Sequence, residues 1–216
     1  EALGPMLYGQ DKWLGGVASP CGRYIYGVPG NATRVLRIEV ATGAVELIGP
    51  EYVGAFKWLR GVEVSPDVAG PAYPAGLCIC IPSNASAGVL RLDPATQEVS
   101  TFGGEVPGMD GDWKWHGGNL GNDGFIYGVP CNATRVLKIN PRTSEVTTIG
   151  GPFEGRQKWY GGIKAANGAV YCVPHTARRV LKIDPMTQAC TLIGAELPEG
   201  GWKWHGGESN PDGTVV

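Results

Sequence analysis

Apolar residues fall along this chain in short runs, each a few residues long and closed by Gly, Pro, Asn or Asp. Tyr24–Pro29 (YIYGVP), Phe125–Pro130 (FIYGVP) and Val170–Pro174 (VYCVP) are rich in aromatic and β-branched residues and read as strands. Arg34–Glu39 (RVLRIE) and Arg179–Asp184 (RVLKID) read as a second kind of strand. Val146–Gly150 (VTTIG) and Cys190–Gly194 (CTLIG) supply a third kind, and Lys12–Val17 (KWLGGV) and Lys158–Ile163 (KWYGGI) a fourth. The segments between them are turns by composition. SPCG at 19–22, GNDG at 121–124 and AANG at 165–168 join the fourth kind of strand to the first. DPATQEV at 93–99, NPRTSEV at 140–146 and DPMTQAC at 184–190 place Asp or Asn before Pro, which suits a type I turn.

The strands come in a fixed order, because the chain repeats itself. Lys-Trp recurs at Lys12, Lys57, Lys114, Lys158 and Lys203, with spacings of 45, 57, 44 and 45 residues. After the first four starts come Pro29, Pro82, Pro130 and Pro174, and then Val35, Val89, Val136 and Val180. The longer second spacing is taken up by SPDVAGPAYPAG at 65–76 and EVPGMDGDW at 105–113, which read as loop insertions. Repeated units of four antiparallel strands, A to D, predict an all-β protein, a β-propeller of four full blades with a partial fifth, over residues 1–216. Residues 1–4 match the close of a strand D, and the last residues match the start of a strand B. Some 19 residues, those equivalent to 128–146, are then missing from the fifth unit. The expectation is a piece of a larger ring, with an open or strained five-bladed ring as the alternative.

VLKIDPMT at 180–187 resembles the corresponding segment of YVTN-type and quinoprotein-type propellers, and GGNLGNDGFIYGVP at 117–130 resembles NHL and virginiamycin B lyase-like repeats. Over the whole chain the units are similar to repetitive algal and protist proteins built from KWHGG and YGVPCNATRVLKIDP segments. That resemblance implies a fold and no activity. Likeness to the lyases implies a metal-assisted reaction with a His and acidic constellation, which matches no set of positions here residue by residue.

Composition narrows the partners. A chain of 216 residues with 43% hydrophobic residues can bury a substantial core. A formal charge of -2 without a basic run gives no reason to bind nucleic acid or an anionic membrane, and no stretch is apolar enough for a transmembrane helix. Cys80 and Cys172 stand where Gly27 and Gly128 stand in other copies, which suggests thiols packed as small hydrophobes. This usage leans towards a cytoplasmic chain. Cys78 and Cys80 have no second pair with which to hold zinc, although disulfides among Cys21, Cys131 and Cys190 stay open.

In an up-and-down blade the loop before each Lys-Trp and the loop after each Val-Pro open on one face. That face collects Lys12, Lys57, Lys114, Lys158 and Lys203 with Asn31, Asn84 and Asn132, and with His116, His175 and His205 nearby. A cationic mouth of this kind would attract an anionic small molecule or an acidic peptide or protein. Plainer roles compete: Lys lying over its Trp with the charge in water, Trp as a wedge between blades, and His as a solvated or hydrogen-bonded group. Each Asn opens a glycosylation sequon, so it is an Asx turn residue, a sugar site or a ligand contact. No nucleophile elbow, HExxH, P-loop or dinucleotide fingerprint occurs, and no catalytic residue, metal ligand or cofactor is assigned. A binding or scaffolding propeller with its ligand on the Lys/Asn face is the leading reading. A lactonase-like or lyase-like enzyme with its site at the central mouth is second, and a purely structural array third.

Overall fold

The computed structural model describes residues 3–104, 111–210 and 214–215. They fall into two compact units, one of residues 1–105 with 141–144 and one of 106–140 with 145–216. Each unit contains antiparallel four-stranded sheets in which sequence neighbours are spatial neighbours.

The first unit holds a blade of β1 (Trp13–Ala18), β2 (Tyr24–Pro29), β3 (Val35–Glu39) and β4 (Val45–Ile48). Its second blade is β5 (Trp58–Val64), β6 (Leu77–Pro82), β7 (Val89–Leu92) and β8 (Val99–Phe102), with a one-turn helix α1 (Pro66–Ala69) between β5 and β6. The second unit repeats the pattern with β9 (Trp115–Leu120), β10 (Ile126–Pro130), β11 (Val136–Ile139) and β12 (Val146–Ile149). The fourth blade is β13 (Trp159–Lys164), β14 (Val170–Pro174), β15 (Val180–Asp184) and β16 (Ala189–Ile193). All sixteen strands fall on the segments that the repeat marks. The insertion at 65–76, expected to be loop, contains α1 because Pro66 pre-sets the first helical φ. Of the second insertion, 105–110 lie outside the described residues. After Lys203 no named strand forms among the described residues, and Ser209 and Val215 make an isolated bridge.

Three local devices shape the blades, the first of them in all four. Strand A is irregular just after its Trp: Trp13 faces Pro29 while Gly15 faces Val28, and Trp159 faces Pro174 while Gly162 faces Cys172. The extra residue forms a bulge that turns the strand. In the second unit the first glycine of the Gly-Gly pair has positive φ, +78° at Gly117 and +81° at Gly161, whereas no such backbone occurs at Gly15 or at Arg60. This is why Arg is tolerated at 60, where the repeat otherwise keeps Gly. The C-to-D turns close through Asp93 Oδ1, which accepts from Ala95 N–H at 2.8 Å, and Asp184 Oδ1, which accepts from Met186 N–H at 3.0 Å.

Successive blades within a unit meet through their apolar faces. Trp58 is fully buried among Tyr26, Val28 and Val35 of the first blade and Cys80, Leu90 and Leu92 of the second. Trp159 is buried likewise with Tyr127, Val129 and Val136 on one side and Val170, Leu181 and Ile183 on the other. Closeness is set by the second glycine of strand A: a Cβ on Gly61 would lie 2.6 Å from Val17 Cγ1, and one on Gly162 would lie 2.9 Å from Val129 Cγ2. At the outer edge, the glycine that closes strand D of each unit's first blade abuts the next blade, Gly49 on Val99 and Gly150 on Cys190. Gly4 meets Val45 in the same way, so it occupies the position that its alignment with Gly49 and Gly150 assigns to it.

Candidate functional site

The lysines and asparagines form the joints between blades. In each repeat the residue before Lys has left-handed backbone, with φ of 49° at Asp11, 51° at Phe56, 54° at Trp113, 53° at Gln157 and 59° at Trp202. This places the carbonyls of that residue and of Lys under the loop that follows strand B. Asn31 N–H donates to Asp11 O, and Gly30 and Ala32 N–H both donate to Lys12 O, each at 3.0 Å; the third blade repeats this with Asn132, Cys131 and Ala133. The next blade then joins on. Lys57 N–H and Lys158 N–H donate to Gly30 O and Cys131 O of the preceding blade.

The side chains reinforce these joints. Lys57 Nζ donates to Gly30 O at 2.6 Å, Ala32 O at 3.0 Å and Gly54 O at 2.8 Å. Lys158 Nζ donates to Cys131 O at 2.8 Å and Gly155 O at 3.0 Å. Lys57, Lys114 and Lys158 are buried. Lys114 Nζ donates to Gly111 O, Lys203 Nζ to Thr176 O and Gly200 O, and the half-exposed Lys12 to Leu7 O. Burial lowers Lys57 from the ordinary lysine value. It brings Lys158 to about 8, against the opposing influence of Cys131 and Glu154. Neither sequence reading of these lysines therefore describes Lys57 or Lys158. Their ammonium groups reach neither a mouth nor bulk water, because main-chain carbonyls of two blades surround them.

Asn31 and Asn132 serve the same joint. Asn31 Oδ1 accepts from Phe56 N–H at 2.9 Å and Asn132 Oδ1 from Gln157 N–H at 2.8 Å, both in the next blade, while Asn132 Nδ2 donates to Asp112 O at 2.9 Å. The expected Asx turn is corrected here, since the side chain bonds a residue 25 positions on and not its own loop. Asn84 has the same place in its repeat, with Ser83 Oγ 3.5 Å from its Oδ1. The Trp side chains also do as packing predicts: the Nε1 groups of Trp13, Trp58, Trp115 and Trp159 donate to the carbonyls of Arg34, Gly88, Arg135 and Arg179, just before strand C.

What the repeat leaves free to vary is the residue after Lys-Trp and the residue after Val-Pro. In the first unit these are Leu14 with Gly30 and Leu59 with Ser83; in the second they are His116 with Cys131, Tyr160 with His175, and finally His205. The second set gathers into one cluster. The Tyr160 ring is sandwiched, with His116 stacked at 4.3 Å and 5° and His175 at 4.0 Å and 8°. His205 sets its edge against His116 at 5.4 Å and Tyr160 at 5.2 Å, and Trp202 sets its edge against His175 at 4.7 Å. All three histidines of the chain take part.

His175 is the buried member, with none of its surface exposed. Its Nδ1 lies 3.1 Å from Gln157 O, so Nδ1 carries the proton, and Nε2 is buried with no hydrogen-bond partner among the described residues. Burial lowers its pKa below the ordinary imidazole value. The Gln157 carbonyl opposes this, and His205 and Lys203 add to it. Below Tyr160 the Cys131 thiol is pushed up to about 11, chiefly by burial. It is a protonated thiol at neutral pH. His175 occupies the fourth copy's place for Gly30, Ser83 and Cys131, and beside it Thr176 replaces Asn and donates Oγ1 to Arg156 O at 2.6 Å.

Other features compete less well. A cavity of about 670 Å³ opens beside Phe153, Trp159, Thr176, Arg178, Arg179 and Glu196. Its arginines are already paired, Arg178 with Glu196 at 2.9 Å and Arg179 with Glu196 at 3.9 Å. The six cysteines are free thiols, and Cys78, Cys80, Cys131 and Cys172 are buried, as the small-residue reading of Cys80 and Cys172 requires. Among the described residues no group of three or more His, Cys, Asp or Glu is placed to hold a metal ion, and no helix is long and apolar enough to cross a membrane.

Sequence reasoning placed the three histidines near one face but missed Tyr160, which joins them. The available signal was the change at the position after Lys-Trp from Leu and Leu to His, Tyr and His. It also missed the Gly three residues before each Lys, at 9, 54, 111, 155 and 200, although from Gly54 onwards its carbonyl receives the ammonium.

Four-stranded antiparallel blades repeated in sequence define the class: this is a β-propeller fold. No protein-family model matches the chain, and no curated protein matches it with significance. Among solved structures it is similar to a streptogramin B lyase, with a TM-score of 0.74 at 15% identity over 97% of this chain and 63% of that one. Virginiamycin B lyase from Staphylococcus aureus matches with a TM-score of 0.70 at 17% identity over 95% of this chain and 63% of that one. Kuenenia stuttgartiensis hydrazine synthase matches with a TM-score of 0.67 at 15% identity, over 100% of this chain and 58% of that one. The chain thus spans less than two thirds of each. At these identities the likeness concerns the fold.

Proposed function

We propose that the protein is a binding module of the β-propeller class, and that its ligand, an anionic small molecule or the acidic side chains of a peptide, sits at the imidazole and tyrosine cluster of the second unit. The observation that carries this reading is the buried, unpartnered Nε2 of His175 beneath Trp202 and beside Tyr160. An unsatisfied polar atom in a buried site is costly, and a recognition site is a common reason to keep one. His205 and Lys203 act on the His175 ring, and His116 lies across Tyr160. Asn31, Asn132, Lys57 and Lys158 hold the scaffold that positions them. A propeller enzyme of the lyase or lactonase type is the second reading, supported by likeness of fold alone, and a purely structural array is the third.

The test is a nuclear magnetic resonance titration of the histidine rings with glutarate and with an acetylated, amidated triglutamate peptide. The expected result is saturable movement of the His175 and His205 resonances, reduced at least tenfold in affinity in Tyr160→Ala. Rings that do not move with either probe at millimolar concentration overturn the site.

A further inference from the structure

The atom that the cluster presents is, by its hydrogen bonding, an acceptor. Gln157 O fixes the proton of His175 on Nδ1, and Nε2 is left with its lone pair. A carboxylate offers only lone pairs, so the two cannot bond as they stand. One proton on Nε2 reverses this, since an imidazolium N–H donates to a carboxylate and the pair forms a charge-assisted hydrogen bond.

Without ligand, only the Gln157 carbonyl at Nδ1 favours the protonated ring, and nothing accepts the proton at Nε2. The elements packed on His175 bring the ring of Tyr160 from β13, the carbonyls of Gln157 and Lys158 from the loop before it, and Trp202, Lys203 and His205 from the segment after β16. The ionisable groups among these that act on it, Lys203 and His205, are basic, as are Lys158 and Arg156 in the adjoining turn, where the Glu154 carboxylate acts on Lys158, and His116 lies across Tyr160. A charged His175 would thus be buried with an unused donor beside the Lys203 ammonium. A ligand carboxylate supplies both the missing acceptor and the missing negative charge. Trp202, 77% exposed, covers the ring with its edge and is the side chain such a ligand would displace.

We infer that the cluster takes a carboxylate ligand together with one proton from solvent, which bonds to His175 Nε2 and is held between that nitrogen and a carboxylate oxygen. This rests on the binding reading above. No covalent bond of the ligand changes: free carboxylate, neutral His175 and a solvent proton become a carboxylate–imidazolium pair, and the proton returns to solvent on release.

Calorimetric titration of the whole chain with glutarate and with the triglutamate peptide, in buffers of differing ionisation enthalpy at about pH 7.5, where both probes are fully ionised, reads the proton directly. The expected result is uptake approaching one proton per ligand, with affinity falling about tenfold per pH unit between about 6.5 and 8. Binding without proton uptake overturns this inference and leaves the site standing; absence of binding overturns both. His175→Gln, with its folding checked by circular dichroism, should bind more weakly and take up no proton. Uptake retained in that variant assigns the proton to another group and overturns the role of His175. Wild-type nitrogen resonances give the same answer without a variant: the His175 Nε2 shift should change from unprotonated to protonated as glutarate saturates, and an unchanged shift refutes the proposal.

Discussion

A buried ammonium is costly unless every one of its protons finds an acceptor, and Lys57 meets that condition with main chain alone. Gly30 and Ala32 belong to one blade and Gly54 to the approach to the next, so one side chain fastens two repeats at a point where no carboxylate is needed. Lys57→Met keeps most of the stem but leaves these carbonyls short of a donor. We expect it to lower the unfolding free energy by about 2–4 kcal/mol in urea denaturation followed by Trp fluorescence. Lys158→Met should behave alike, whereas Lys12→Met, at a half-exposed position with one carbonyl partner, should cost about 1 kcal/mol or less. Equal, negligible losses at all three positions would show that the ammonium groups do not fasten the joints. Lys-to-Gln changes, suited to probing a cationic mouth, would for the same reason report on stability at Lys57 and Lys158.

The repeating element is a blade plus its joint, and its parts differ in how clearly the sequence shows them. Strand identity was legible throughout, because each strand pairs an apolar run with a fixed turn, and Gly4 matched to Gly49 and Gly150 even fixed the phase of the first residues. The joint was not. A lysine beside a tryptophan looks the same in sequence whether its head lies in water or under three carbonyls, and Asn31 bonds Phe56, a partner no local pattern names. The same limit hid Tyr160, whose stacking partners come from β9 and from the loop after β14. Burial gives the Trp series a graded outcome. Trp58, wholly buried between two blades, should lose about 3–5 kcal/mol on replacement by Ala. Trp204, 52% exposed in a segment with no named strand, should lose about 1 kcal/mol or less in the same assay. A Trp204→Ala variant as unstable as Trp58→Ala would mean that the last segment contributes to the core as the complete blades do.

Across the whole molecule, one repeat chemistry carries two different sets of variable residues, aliphatic or small in the first unit and imidazole, aromatic or thiol in the second. The joints hold the fold, so a chemical property confined to one unit should trace to the variable set, and the histidines, all in the second unit, supply one. His175 has a folded-state pKa below its unfolded value of about 6.5, with burial as the main cause. As pH falls through about 6.5 the unfolded chain takes up this proton first, so the stability due to His175 is full above that pH and declines below it, until the folded ring also titrates. His175→Phe keeps an aromatic ring against Tyr160 and Trp202 but removes the titration. Urea denaturation from about pH 8 to 5 should therefore show wild type falling relative to the variant only below about 6.5, with a constant difference above it. Parallel curves over the whole range would mean that the ring is as easily charged in the folded protein as in the unfolded chain, and that its buried Nε2 has an acceptor after all.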